Sequence, residues 1–138
     1  MAKTERTKEK LLAFLELMRR ETDENHHLAM PELLSRMEQM GAKVERKSIY
    51  RYVEVLQEEG WDILRDSDGY YLASRDFELA ELKLLADAVQ CSKFITEKKS
   101  YELIGKLETL TSRHQAAELH RQLHPVGRSK TTNEQIYY

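Results

Sequence analysis

At Gly60 the apolar pattern of this chain changes period. Before it, three segments place apolar residues at helical spacings of three and four; after it come two short β-type runs, WDILR and YYLAS, around the turn DSDG. Gly60 suits the C-terminal cap of a helix, and Asp68-Gly69 is a hairpin turn signal. The expected arrangement is a hairpin packed on three helices.

The first helix is expected over 8–20, where Leu11, Leu12, Leu15 and Met18 share a face with Phe14 beside it. The polar stretch ETDENHH reads as a loop, and Pro31 suits the first turn of the next helix. In PELLSRMEQM, Leu33, Leu34, Met37 and Met40 lie along one side, and Gly41 ends the segment. The third helix opens with RKSIYRYVEVL from Arg46; Ile49, Val53 and Leu56 face inward, with Lys47, Arg51, Glu54 and Glu58 opposite. Three more helices follow. Phe77, Leu79, Leu82, Leu85, Ala86 and Val89 mark one over about 78–91, and Thr96 is placed to cap one over 97–110 with Tyr101, Ile104, Leu107 and Leu110 on its core face. A weaker one covers 114–123, before Pro125 and Gly127, and the final SKTTNEQIYY looks like the approach to a strand.

A length of 138 residues implies one domain, or a small domain with an appendage, and 41% apolar with 33% charged residues describes an ordinary soluble chain. No apolar run reaches membrane-helix length and the N-terminus lacks a secretory pattern, so the cytoplasm is the expected compartment. The single cysteine, Cys91, excludes an internal disulfide and a CxxC metal site, and is read as a small apolar side chain.

The net charge of −2 conceals blocks of opposite sign. Residues 1–20 are net +3 and 21–42 net −4; 43–52 return to +3 through Lys43, Arg46, Lys47 and Arg51 against Glu45, and 53–62 fall to −4. For a polyanionic partner the distribution matters more than the total, because one face makes the phosphate contacts.

Two helices joined by a short turn at Gly41 and followed by a hairpin make a helix-turn-helix with a wing. That geometry presents the second helix of the motif to the DNA major groove. Arg46 and Lys47 are then candidates for phosphate, Ser48 and Tyr50 for phosphate or base edges, and Arg51 for bidentate reading of a guanine. Lys43 and Arg65 are further DNA-binding candidates. A charge cluster on an isolated helix is more often a solvated face; here the surrounding motif favours an interface. The tip Asp66-Ser67-Asp68-Gly69 opposes phosphate, so the wing is expected to touch DNA weakly, and the arm with Lys3, Arg6, Lys8 and Lys10 is the better source of non-specific affinity.

The stretch ERKSIYRYVEVLQEEGWDI followed by GYYL resembles the winged helix-turn-helix of bacterial transcriptional regulators of the WYL-domain type. FELAELKLLADAVQ and FITEKKSYELIGKLETL resemble the helical linker that precedes the WYL domain in that family. The match covers roughly residues 8–138. It implies sequence-specific binding of double-stranded DNA, usually as a dimer, with Ser48, Tyr50 and Arg51 at the DNA-facing positions and any small-molecule or nucleotide effector acting through the WYL domain. Two departures stand out: Tyr52 occupies the place of a usual acidic residue, and no Trp-Tyr-Leu triplet occurs.

The expected organisation is therefore mainly α: a basic N-terminal arm over 1–7, a winged helix-turn-helix over 8–76, a helical linker and dimerisation region over 77–124, and at 125–138 the start of an absent WYL domain. Of the five histidines, only His120 and His124 stand one turn apart, and without a third ligand they read as surface side chains rather than a metal site. HExxH, Gly-rich phosphate-loop and nucleophile motifs are lacking, so neither an enzyme nor a cofactor is expected. The rival reading is a winged-helix module for protein contacts, which the acidic total charge and acidic wing would suit.

Overall fold

A computed structural model of the protein describes residues 2–123, with only the backbone given for 2–5 and 122. The fold is mainly helical with one two-stranded antiparallel sheet: α1 (Ala2–Glu21), α2 (Met30–Gln39), α3 (Arg46–Glu58), β1 (Ile63–Asp66), β2 (Gly69–Leu72), α4 (Leu79–Cys91), α5 (Glu97–Glu108) and α6 (Arg113–Gln122). The chain divides after Arg75 into two compact units. His124, Pro125, Gly127 and the segment expected to open a further domain lie outside the described residues.

In the first unit α1 already begins at Ala2, so residues 2–7 of the expected arm over 1–7 belong to the helix, and Lys3, Arg6, Lys8 and Lys10 lie along it. Nothing in AKTERTKEK stops helix propagation: it holds neither Gly nor Pro and is rich in Lys, Glu and Arg. The inner face of α1 is formed by Phe14, Leu17 and Met18, whereas Leu12 is exposed. The apolar positions of α1 offer two overlapping stripes, and packing on α2 and α3 selects the one centred on Phe14.

Leu33 and Met37 from α2, Ile49, Tyr52, Val53 and Leu56 from α3, and Ile63, Tyr70 and Leu72 from the hairpin complete this core. Helices α2 and α3 end alike. Gly41 (φ 77°) and Gly60 (φ 98°) take the left-handed conformation just past each cap. Ala42 N–H then donates to Met37 C=O and Gly41 N–H to Glu38 C=O; Trp61 N–H donates to Leu56 C=O and Gly60 N–H to Gln57 C=O. These are Schellman pairs, which satisfy the last carbonyls and turn the chain sharply toward the next element.

The hairpin pairs Ile63 with Leu72 and Asp66 with Gly69. Its free side is met by Leu28, which exchanges both backbone hydrogen bonds with Tyr70 at 2.9 and 2.8 Å, so the stretch between α1 and α2 is not wholly loop. This approach explains Gly69 (φ 132°): a Cβ there would lie 2.4 Å from the Leu28 carbonyl carbon and oxygen. Two further ties hold the hairpin to the end of α1. Thr22 Oγ1 donates to Met18 C=O and accepts Leu72 N–H, and Arg75 Nη2 donates to the carbonyls of Arg19 and Thr22.

In the second unit α4, α5 and α6 pack around Leu82, Ala86 and Leu119, with Leu79, Ile104, Leu107, Leu110 and Leu123 partly buried about them. Each helix is capped: a Glu78–Glu81 capping box opens α4, Thr96 Oγ1 accepts Lys99 N–H, and Ser112 Oγ accepts Gln115 N–H. Tyr101, expected on the core face of α5, is 74% exposed, as a core this small is filled by the aliphatic residues alone.

Candidate nucleic-acid interface

The geometry of α3 follows from its two faces. Ile49, Tyr52, Val53 and Leu56 hold one side in the core, which leaves the other side to solvent along its whole length. At its start Glu45 makes no side-chain cap and the first turn has no acidic residue. The partial positive charge of the helix N-terminus is thus joined by Arg46 and Lys47, with Glu45 at the cap as the nearest carboxylate in sequence.

Lys43, Arg46, Lys47, Tyr50 and Arg51 are all exposed. Among the described residues, no ion pair forms to Lys43, Arg46 or Lys47. Arg51 Nη1 reaches Glu54 Oε1 at 3.0 Å, one turn along the same face. Ser48 differs from its neighbours: it is half-buried and lies one turn before Tyr52 on the same side of α3. Tyr52 is buried against Phe14, ring centroids 5.9 Å apart, and burial raises its pKa against the opposing effect of the Ser48 side chain. The aromatic that replaces an acidic residue in the resemblance is therefore a core residue.

Arg65 on β1 lies with its guanidinium 5.7 Å from the Tyr70 ring centre and 3.4 Å from the Tyr70 hydroxyl. That hydrogen bond, with Tyr50 acting from α3, raises the Arg65 pKa further above its usual value.

The tip beyond Arg65 is acidic and ordered. Asp66 Oδ1 accepts the N–H of Asp68 and also meets His27 Nδ1 at 2.9 Å. His27 Nε2 meets Glu24 C=O at 2.8 Å, and its ring stacks on Tyr71, centroids 3.9 Å apart and 6° from parallel. Burial disfavours the charged imidazole, but the Glu24 carbonyl and the Asp66 carboxylate, with Asp68 behind it, outweigh this and raise its pKa. Asp66 in turn is lowered: the Asp68 amide and His27 overcome the opposing burial. Sequence reasoning did not single out His27 for this role, since 39 residues separate it from Asp66. In the second unit His120 Nδ1 lies 3.3 Å from Glu108 Oε2.

No protein-family model, curated protein or solved structure matches this chain.

Proposed function

We propose that the protein is a sequence-specific DNA-binding transcriptional regulator whose first unit is a winged helix-turn-helix, and that it is the N-terminal portion of a WYL-type regulator. The observation that carries this reading is the outer face of α3: Arg46, Lys47, Tyr50 and Arg51 project from the start of a helix whose other face is core. In this reading α3 enters the major groove, Arg46, Lys47 and Lys43 hold phosphates, and Arg51 and Tyr50 meet base edges. Ser48, half-buried on the same helix, meets phosphate or a base edge in this reading. Arg65 follows the backbone beside the groove.

The protein acts in this proposal as a cytoplasmic homodimer that pairs two recognition helices for half-sites one DNA turn apart or a multiple of it. Exposed Leu84, Phe94 and Tyr101 on and beside α4 and α5 favour burial in an assembly. An effector would act through the WYL domain that the family resemblance implies. The rival reading, a protein-contact module, is favoured by the acidic hairpin tip and by Glu54, Glu58 and Glu59 along and just after α3.

Fluorescence anisotropy with duplex from upstream of the protein's own gene, at two salt concentrations and with random DNA as competitor, separates the two. Tight, salt-sensitive binding that survives the competitor is expected; phosphate contacts make affinity fall steeply with salt. Binding that is absent, or insensitive to salt, would favour the protein-contact module.

A further inference from the structure

The hairpin tip poses a problem that DNA binding does not explain: two carboxylates are gathered beside one imidazole. A ring nitrogen of His27 and a carboxylate oxygen from each of Asp66 and Asp68 lie within 4.8 Å of one another. The His27 side chain is only 10% exposed, and its ring is clamped flat against Tyr71. Its other nitrogen is committed to the Glu24 carbonyl at 2.8 Å. A proton on Nε2 satisfies that carbonyl, and the neutral ring then turns the lone pair of Nδ1 toward the Asp66 oxygen at 2.9 Å. Lone pair against carboxylate is repulsive, so a cation has to stand between them: a proton or a metal ion.

We propose that His27, Asp66 and Asp68 form a binding site for a divalent transition-metal ion of the zinc class. A ring N–H given to a backbone carbonyl is the usual outer support of a metal-bound histidine, because it fixes the tautomer and the ring plane. One imidazole with two carboxylates suits zinc or its neighbours better than magnesium or calcium, which prefer oxygen alone. Three protein ligands leave a position for water. Tetrahedral zinc with bonds of about 2.0–2.1 Å needs ligand atoms about 3.3 Å apart, so a small movement of the exposed Asp68 side chain closes the site. Bound there, the ion ties the stretch before α2 to the hairpin tip and neutralises the two carboxylates that oppose phosphate. This effect on DNA rests on the function proposed above; the binding of the ion does not.

The test uses the untagged full chain, stripped of metal, with zinc titrated against a chromophoric chelator. The wild-type protein is expected to take one ion per chain, and Asp68→Asn and His27→Gln to weaken it at least about tenfold, a scale reached even by changes outside the ligand shell. Asp68→Asn, an isosteric change at an exposed position, should keep the circular dichroism and melting of the metal-free protein. Wild type that cannot compete with the chelator, or variants that bind zinc as wild type does, would overturn the site. Added zinc should then tighten wild-type binding to random duplex several-fold and leave Asp68→Asn unchanged. Zinc bound without that gain would overturn the coupling to DNA. Absence of duplex binding with or without zinc would instead remove the DNA function while the titration still decides the metal site.

Discussion

Arg51 is engaged by Glu54 at 3.0 Å, so the side chain proposed to read a base is paired with a carboxylate on its own helix. Both groups are exposed, and a surface pair of this kind contributes about 0–1 kcal/mol, so a guanine edge can displace Glu54 at little cost. Arg51→Ala is expected to weaken specific DNA binding by about 1–3 kcal/mol, the usual value of one bidentate base contact, with fold and oligomeric state unchanged. Glu54→Gln should do the reverse, tightening binding to specific and random duplex by releasing Arg51 and removing a negative charge. Anisotropy titrations on the two variants check both; unchanged affinity in Arg51→Ala would end its proposed role.

Tyr52 separates packing from recognition. Tyr52→Phe keeps the contact with Phe14 and removes only the hydroxyl, and is expected to cost no more than about 1 kcal/mol. Tyr52→Asp, which restores the acidic residue of the resemblance, places a carboxylate in the core and should cost about 3–4 kcal/mol. Denaturant unfolding of the two variants gives the comparison, and a mild effect of the Asp change would show that the α3 face tolerates water there.

Gly69 and Gly60 both have positive φ, but only Gly69 also meets the Leu28 backbone. Gly60→Ala is therefore expected to cost about 1–2 kcal/mol, the left-handed penalty alone. Gly69→Ala adds a clash with the backbone, whose relief requires the Leu28–Tyr70 bridge to open, and should cost about 2–4 kcal/mol. Thermal melts rank the pair; equal losses would mean that the bridge contributes nothing.

His27 makes the stability of the metal-free protein depend on pH. Its folded pKa is raised above 6.5, so the contribution is fully present below that value and is lost as pH rises through the folded pKa. Asp66, lowered from 3.8, acts in the opposite sense in acid: its contribution is present above that value and lost as pH falls through the folded pKa. With a chelator present, the melting temperature should decline on the alkaline side of 6.5, and His27→Gln should flatten that decline. A wild-type profile already flat there would show that the ring gains nothing from Asp66 and Glu24.

Local rules made much of the fold legible. Gly41 and Gly60 marked helix ends because a left-handed residue is needed where a helix turns sharply, and Asp68-Gly69 marked the hairpin for a similar reason. Thr96 was read correctly as a cap, since its oxygen satisfies an amide three residues away. The basic cluster from Lys43 to Arg51 could be read as exposed once Ile49, Val53 and Leu56 were assigned to the core.

Where a reading depended on a choice between local alternatives, the chain alone was insufficient. Helix α1 extends to Ala2, where basic composition had favoured an arm, and its apolar stripe is centred on Phe14 at the expense of Leu12. Tyr52 stands at helical spacing from Ile49 and Leu56 and so on the inward face of α3, but its partner Phe14, 38 positions earlier, is chosen by packing.

The amino-acid sequence by itself determined the helical periods, the glycine stops, the hairpin and the face of α3 that bears the cations, because each depends on residues within a turn or two of one another. Only the tertiary structure decided that Leu28 would close the hairpin edge, that Phe14 would pack on Tyr52, and that His27 would meet Asp66 and Asp68. Those relationships join segments distant in the chain, whose partners are chosen by packing: the free backbone edge at Tyr70 needs a strand, the Tyr52 ring needs an apolar neighbour, and the ring stacked on Tyr71 places its Nδ1 where the hairpin tip can reach it.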